Sequence, residues 1–214
     1  MPRIDKITLF AILAFGVLFL FQCKPKNEEP KTEDLSNCEF VYDASATKLQ
    51  WTAFKFTEKT GVNGTFSEYN VDGIETKKSI VESVQNVKFS INGSKVFTSV
   101  RERDDKIAKS FFGTMIGEIS GYFKNIVGTD SGTADLFLTM NGVEKQVPAQ
   151  FTIKNQKELE LKASINLNDW KAAKSLKELN KVCSEQHTGK DKTSKLWPDV
   201  DILVTTTFKT KCEP

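Results

Sequence analysis

The feature that most limits what this chain can fold into is an apolar residue at every second position. In ELELKASINL, residues 158–167, Leu159, Leu161, Ala163, Ile165 and Leu167 point one way and Glu158, Glu160, Lys162, Ser164 and Asn166 the other. Successive side chains of a β-strand alternate between its faces, so this period marks a strand with one buried and one wet face. The same alternation runs through 134–140 (Ala134, Leu136, Leu138, Met140) and 147–153 (Val147, Ala149, Phe151, Ile153). Asn141-Gly142 lies between them, and both residue types accept the positive φ of a two-residue hairpin turn. Further alternating segments cover 48–56, 62–71, 87–91, 117–126 and 200–208, with 38–43 as a short addition. The expectation is therefore about eight antiparallel strands.

Two segments have helical spacing instead. Across 169–183, Trp170, Ala173, Leu176 and Leu179 share one face behind Asn168 or Asp169 as a cap. Across 104–112, Ile107 with Phe111 and Ala108 with Phe112 are i,i+4 pairs. The fold class expected is all-β, an up-and-down barrel with one or two short helices lying against it, because closure removes exposed sheet edges. A two-sheet sandwich satisfies the same alternation.

The N-terminal region has a different character. Arg3, Asp5 and Lys6 precede ITLFAILAFGVLFLF, residues 7–21, which carries no charge. A charged start followed by a short apolar run is the pattern of a signal peptide, expected here over 1–22. No second long apolar run follows, which excludes a polytopic helical membrane protein. Leu20-Phe21-Gln22-Cys23 resembles a bacterial lipobox, with Gln22 where such motifs place a small residue, and implies lipidation of Cys23. A leader cleaved elsewhere leaves Cys23 without that role. Residues 23–37, rich in charge and proline with Leu35 as the one aliphatic residue, read as a flexible tether. Residues 38–214 are then one domain, and the expected location is exported, as a periplasmic or outer-membrane lipoprotein.

Within that domain stand Cys38, Cys183 and Cys212. If the first and last strands pair antiparallel, Cys38 and Cys212 meet in a disulfide; Cys183 with Cys212 is the alternative.

Reactive chemistry is sparse. His187 is the single histidine and sits in the polar stretch SEQHTGKDKTSK, where a solvated loop residue is expected. Cys183, four positions earlier, leaves a thiol–imidazole pair as the remaining nucleophile arrangement. No cysteine or histidine pair has zinc-ligand spacing, so no metal or cofactor is expected. Glu102, Asp104 and Asp105 lie among Arg101, Arg103 and Lys106, which suits the start of a helix better than a carboxylate site. With 30 basic against 28 acidic residues, the chain lacks the basic excess of a general nucleic-acid binder. Lys171, Lys174, Lys177, Lys181, Lys190, Lys192 and Lys195 nevertheless load one late segment with positive charge. That segment suits either a solvated face or one that meets an anionic head group or membrane surface.

Three stretches resemble the YceI-like family: Gly61-Val62-Asn63-Gly64-Thr65-Phe66, SKVFTSVRERDDKIAKSFF over 94–112, and LTMNGVEKQV over 138–147. Their order and spacing cover about residues 46–167, while 168–198 departs from the pattern by being longer, lysine-rich and helical. The resemblance implies a lipocalin-like antiparallel barrel with an apolar tunnel that binds an isoprenoid or fatty-acyl chain without catalysis. On the inward phases, the residues expected to line it are Trp51, Phe66, Phe89, Phe111, Phe112, Phe123, Leu138, Phe151 and Trp170. The functional expectation is binding or transport of a long-chain amphiphile in the bacterial envelope, with membrane attachment through the N-terminal anchor. The alternative is a surface lipoprotein whose barrel is fully packed and whose exterior recognises a protein partner.

Overall fold

The computed structural model describes residues 33–213. The expected signal peptide, Cys23 and its lipidation therefore lie outside the described residues. In chain order the elements are β1 (Cys38–Val41), β2 (Lys48–Lys55), β3 (Thr60–Phe66), β4 (Tyr69–Asp72), α1 (Ile80–Ser83), β5 (Lys88–Ile91), β6 (Val96–Phe97) and α2 (Arg101–Ser110). They continue as β7 (Ile119–Gly128), β8 (Ser131–Met140), β9 (Val143–Lys154), β10 (Glu158–Asn166), α3 (Ala173–Val182), β11 (Leu196–Thr207) and β12 (Lys209–Cys212).

Ten strands form one curled antiparallel sheet in the order β4-β5-β7-β8-β9-β10-β11-β2-β3-β6. From β7 to β11 neighbours in sequence are neighbours in the sheet, the up-and-down pattern that hairpins produce. Asn141 and Gly142, at φ 51° and 68°, make the tight turn between β8 and β9, with Met140 opposite Val143. This is the half-barrel form of the lipocalin-like architecture. The two ends of the sheet order are tied by the chain itself: β3 runs into β4 and β5 into β6. There the Ser67 amide donates to Lys95 O at 2.8 Å, and Phe66 pairs with Val96.

The strand expected over 62–71 is thus two strands. Val62, Gly64 and Phe66 occupy even positions in β3, whereas Tyr69 and Val71 occupy odd positions in β4, so the inward parity changes across Ser67-Glu68. A continuous strand cannot keep both sets inside. A similar change occurs in β7, where Ile119, Gly121 and Phe123 give way to Ile126. The pairing with β8 slips between Lys124 and Val127, and Asn125 there has φ 51°. A bulge of this kind bends a strand and curls its sheet.

The remaining pair, β1 and β12, forms a separate two-stranded sheet in which Cys38 faces Cys212, and their sulfurs are bonded. Leu35, Phe40, Ile80 and Phe208 pack beside this bridge. Residues 33–37, which the sequence places in a tether, lie against the domain. Leu35 is buried, its carbonyl accepts from the Cys38 amide, and Glu33 ion-pairs with Lys157. One aliphatic side chain next to a cystine is enough to seat this turn.

The helices also begin elsewhere than expected. Residues 167–170 form a 3-10 turn, Lys171 takes φ 55°, and α3 starts only at Ala173, with no side-chain cap. Neither Asn168 nor Asp169 caps it. The break follows from Trp170, 1% exposed, whose indole Nε1 donates to Leu138 O at 3.0 Å while Asn141 Nδ2 donates to the Trp170 carbonyl. Helix α2 begins three residues earlier than expected, at Arg101. Asp104 accepts from the Thr98 amide and hydroxyl, and Arg103 donates to the Thr98 hydroxyl and carbonyl.

Candidate functional site

The inward faces of the sheet do not fill the space between them. Between them lies a cavity of about 290 Å³, at the lower end of the volumes of small-molecule pockets, ~300–1,000 Å³. Its lining extends along the strands. Val200, Ile202, Val204 and Thr206 of β11 all face it, and at ~3.3 Å per residue they span ~20 Å. Cross-strand partners complete the wall: Ile202 stands between Trp51 of β2 and Ala163 of β10, and Val204 between Leu49 and Leu161.

Of the residues expected to line the tunnel, Trp51, Phe66, Phe89, Phe111, Phe112, Phe123, Leu138 and Phe151 do so. Trp170 does not; it is packed beneath β8 in the buried cluster with Leu138 and Ala172. Two glycines set how the aromatic rings lie. A Cβ on Gly64 would fall 2.1 Å from Cζ2 of Trp51, and one on Gly121 would fall 2.6 Å from Cζ of Phe89. Glycine lets each ring lie flat against the neighbouring strand, which leaves the lumen open. Phe66, Phe111 and Phe112 close one side through edge contacts of 5.6 and 4.9 Å between ring centroids.

Sequence reading missed part of the lining. Ile80, Val81 and Val84, on and just after α1, face the cavity, as do Tyr42, Leu176 and Trp197. The signal for α1 was present: Ser79 precedes Glu82 by three residues, and Ser79 Oγ accepts from the Glu82 amide at 3.2 Å. At four residues the helix is too short for periodicity to reveal it.

The few polar groups on the lining are already paired. Tyr42 Oη, Thr47 Oγ1 and Thr206 Oγ1 form a chain of hydroxyls at 3.0 and 2.8 Å. Tyr69 Oη donates to Thr47 O at 3.0 Å, Trp51 Nε1 to Thr65 O at 3.4 Å, and Trp197 Nε1 to Phe56 O at 2.7 Å. Among the described residues no buried side-chain nitrogen or oxygen lacks a partner. A polar guest would have to give up its own water for few donors or acceptors here, whereas an apolar chain gives up no hydrogen bonds by entering.

The thiol and imidazole give a different picture from the sequence. His187 is not a solvated loop residue: it is half-buried in a 3-10 turn, with Nδ1 2.9 Å from Asn180 Oδ1. Burial, with Lys55 and Lys106 nearby, pulls its pKa down to about 4. Burial pushes the Cys183 thiol up, and its carbonyl accepts from the His187 amide at 3.0 Å. Both groups are thus held neutral, opposite to the thiolate–imidazolium form of a cysteine nucleophile. Among the described residues no cluster of three His, Cys, Asp or Glu side chains is placed to hold a metal.

A family model described as YceI-like domain matches residues 40–208. No curated protein sequence matches the chain. Among solved structures, a polyisoprenoid-binding domain from Saccharophagus degradans aligns with a TM-score of 0.55 at 12% identity, covering 82% of this chain and 99% of that one. Burkholderia cenocepacia BcnA aligns with a TM-score of 0.54 at 15% identity, covering 78% of this chain and 99% of its own. At such identities the likeness is one of fold.

Proposed function

The chain belongs to the YceI-like domain family, and from that premise we propose that its barrel binds one long-chain amphiphile, an isoprenoid or fatty-acyl lipid, without catalysis. The observation that carries this reading is the elongated cavity whose polar lining groups are all internally paired. Burial of such a chain contributes ~0.8 kcal/mol per methylene, so affinity arises from length rather than from polar recognition. The polyisoprenoid-binding domain named above shares the fold, which supports the same ligand class here. A fully packed barrel acting only through its exterior has no use for this cavity, which argues against that alternative.

The reading extends to location. The apolar segment 7–21, Cys23 and the charged stretch after it favour export and a lipid anchor that would hold the barrel beside a bacterial membrane. Transport of the amphiphile between membrane and envelope then follows from that position. Mass analysis of the mature N-terminus is expected to find Cys23 first and diacylated. An unmodified Cys23 contradicts the anchor and leaves lipid binding in place.

Native mass spectrometry of the chain purified from a bacterial envelope tests the binding itself. One small amphiphile per chain should accompany the wild-type protein and be lost from Phe123→Arg, which puts a charge inside the lumen. A wild-type protein that carries no amphiphile and takes none up from lipid vesicles sinks the proposal.

A further inference from the structure

A second depression, about 320 Å³, lies outside the sheet between α3 and the start of β11. Leu176 and Leu196 line both this groove and the inner cavity, so these two side chains form the partition between them. The groove differs from the cavity in chemistry: Asn168, Lys177, Asn180, Ser194 and Lys195 border it. Its position is in the lysine-rich segment where this chain departs from its resemblance to the family.

The charge at the partition is specific. Lys195 Nζ stands 3.5 Å from the centroid of the Trp197 ring, and Trp197 lines the inner cavity. A cation is thereby fixed on the rim of the apolar tunnel. Asp199, the nearest carboxylate along β11, is already occupied by Lys59 at 2.9 Å and by Asn166 Nδ2 at 3.0 Å. Among the described residues neither Lys177 nor Lys195 forms an ion pair with a carboxylate. Asn180 Oδ1 is used by His187 Nδ1 and Ser194 Oγ, which leaves its amide hydrogens to a ligand. The loop that carries Ser194 and Lys195 is tied down: Thr188 bridges Ser194, Lys55 donates to Gln186 O, and Thr57 donates to Asp191.

We propose that this groove is the mouth of the tunnel and binds an anionic head group, a phosphate or carboxylate, of the amphiphile whose chain lies inside. Leu176 and Leu196 act as the threshold across which the chain passes, and Lys177 and Lys195 hold the head outside. The inference rests on the binding function proposed above. It adds a preference among amphiphiles that an apolar lumen alone does not provide.

The test compares hexadecyl phosphate with hexadecanol, both below their micellar concentrations, on the full chain, with inorganic phosphate titrated separately. Charge-assisted contacts to the head should make the phosphate bind about tenfold tighter or more. The double variant Lys177→Gln/Lys195→Gln should erase that difference and leave hexadecanol affinity unchanged. Hexadecanol binding also reports that the variant is folded, and Lys177→Gln alone replaces the double variant if it is not. Raised salt should weaken the phosphate ligand only. If both ligands bind wild type equally, or the lysine variants change neither, the head-group site is wrong and the lipid-binding reading stands. If neither ligand binds wild type, the lipid-binding reading itself fails. Inorganic phosphate binding as tightly as hexadecyl phosphate would also overturn the inference, because the groove would then be a free-anion site.

Discussion

Strands β8 and β11 carry the same alternation and face the same cavity, yet they are buried differently. Leu136, Leu138 and Met140 of β8 are 3%, 4% and 3% exposed, backed by Trp170, Ala172 and Phe111 in one continuous cluster. Val200, Ile202 and Val204 of β11, with Trp51 and Leu49 beside them on β2, are each only partly buried. Their remaining accessible surface looks onto the cavity. One wall is therefore backed by protein, and the other keeps surface that faces the cavity. The proposed binding function then assigns stability mainly to the first wall and ligand capacity mainly to the second.

The largest effect that separates the walls is expected for Leu138→Ala. Truncation in the closed wall should cost ~2–5 kcal/mol in denaturant unfolding, because Leu138, although it lines the cavity, is 4% exposed and sits in one buried cluster with Trp170 and Ala172. A cost as small as that of an equivalent change in β11 would break the comparison.

Acid should act next, and first at His187, in the loop between α3 and β11. The pKa of His187 is lowered to about 4, against an unfolded value near 6.5, so between these values the unfolded chain binds more protons than the folded one. Stability is then complete above pH ~6.5 and falls as pH drops toward 4, by on the order of 3 kcal/mol at most. Asp43 and Glu160, lowered to about 2 by Lys209 and by Lys154 with Lys162, lose their contributions only as pH falls from the ordinary carboxylate range toward 2. Amide exchange at pH 5, corrected for intrinsic rates, should rise across 180–200 before it rises in β8 and β9. Loss of protection in β8 first would contradict this.

Ile202→Ala should cost less stability, ~1–2 kcal/mol, since its side chain is only partly buried. It should weaken amphiphile binding severalfold in a probe-displacement assay. The smallest change is expected on the outer face. Tyr122 and Phe137 stack there at 5.0 Å with their planes 1° apart, so Phe137→Ala should cost ~1 kcal/mol and leave binding untouched. A binding defect in that variant would mean that the outer face takes part.

The closed wall was the more legible in sequence. Strands β8, β9 and β10 alternate cleanly because their outer faces are wet and their turns short, and Asn141-Gly142 announces the hairpin. The bends in β3–β4 and β7 are also written in the chain, as changes of apolar parity between Phe66 and Tyr69 and between Phe123 and Ile126, but only the curled sheet gives those changes a meaning. The place of Trp170 was not legible. At helical spacing it reads as one more lining aromatic, and its burial depends on Leu138 O and on Asn141 some thirty positions away. His187 is similar: a polar sequence surrounds it, and only the folding of its loop onto α3 buries it. Of the tether, only residues 33–37 lie among the described residues, and there Leu35 is seated beside the Cys38–Cys212 bridge in spite of the charges around it, a contact that composition does not announce.

The most direct measurement of the central claim, that the open wall is completed by an apolar chain, is the affinity of the full protein for n-alkanols of increasing length. Burial along the cavity predicts that Kd falls about fourfold for each added methylene, ~0.8 kcal/mol each, and then levels off once the cavity is filled. An affinity that does not change with chain length from the shortest alcohol onward would contradict the account.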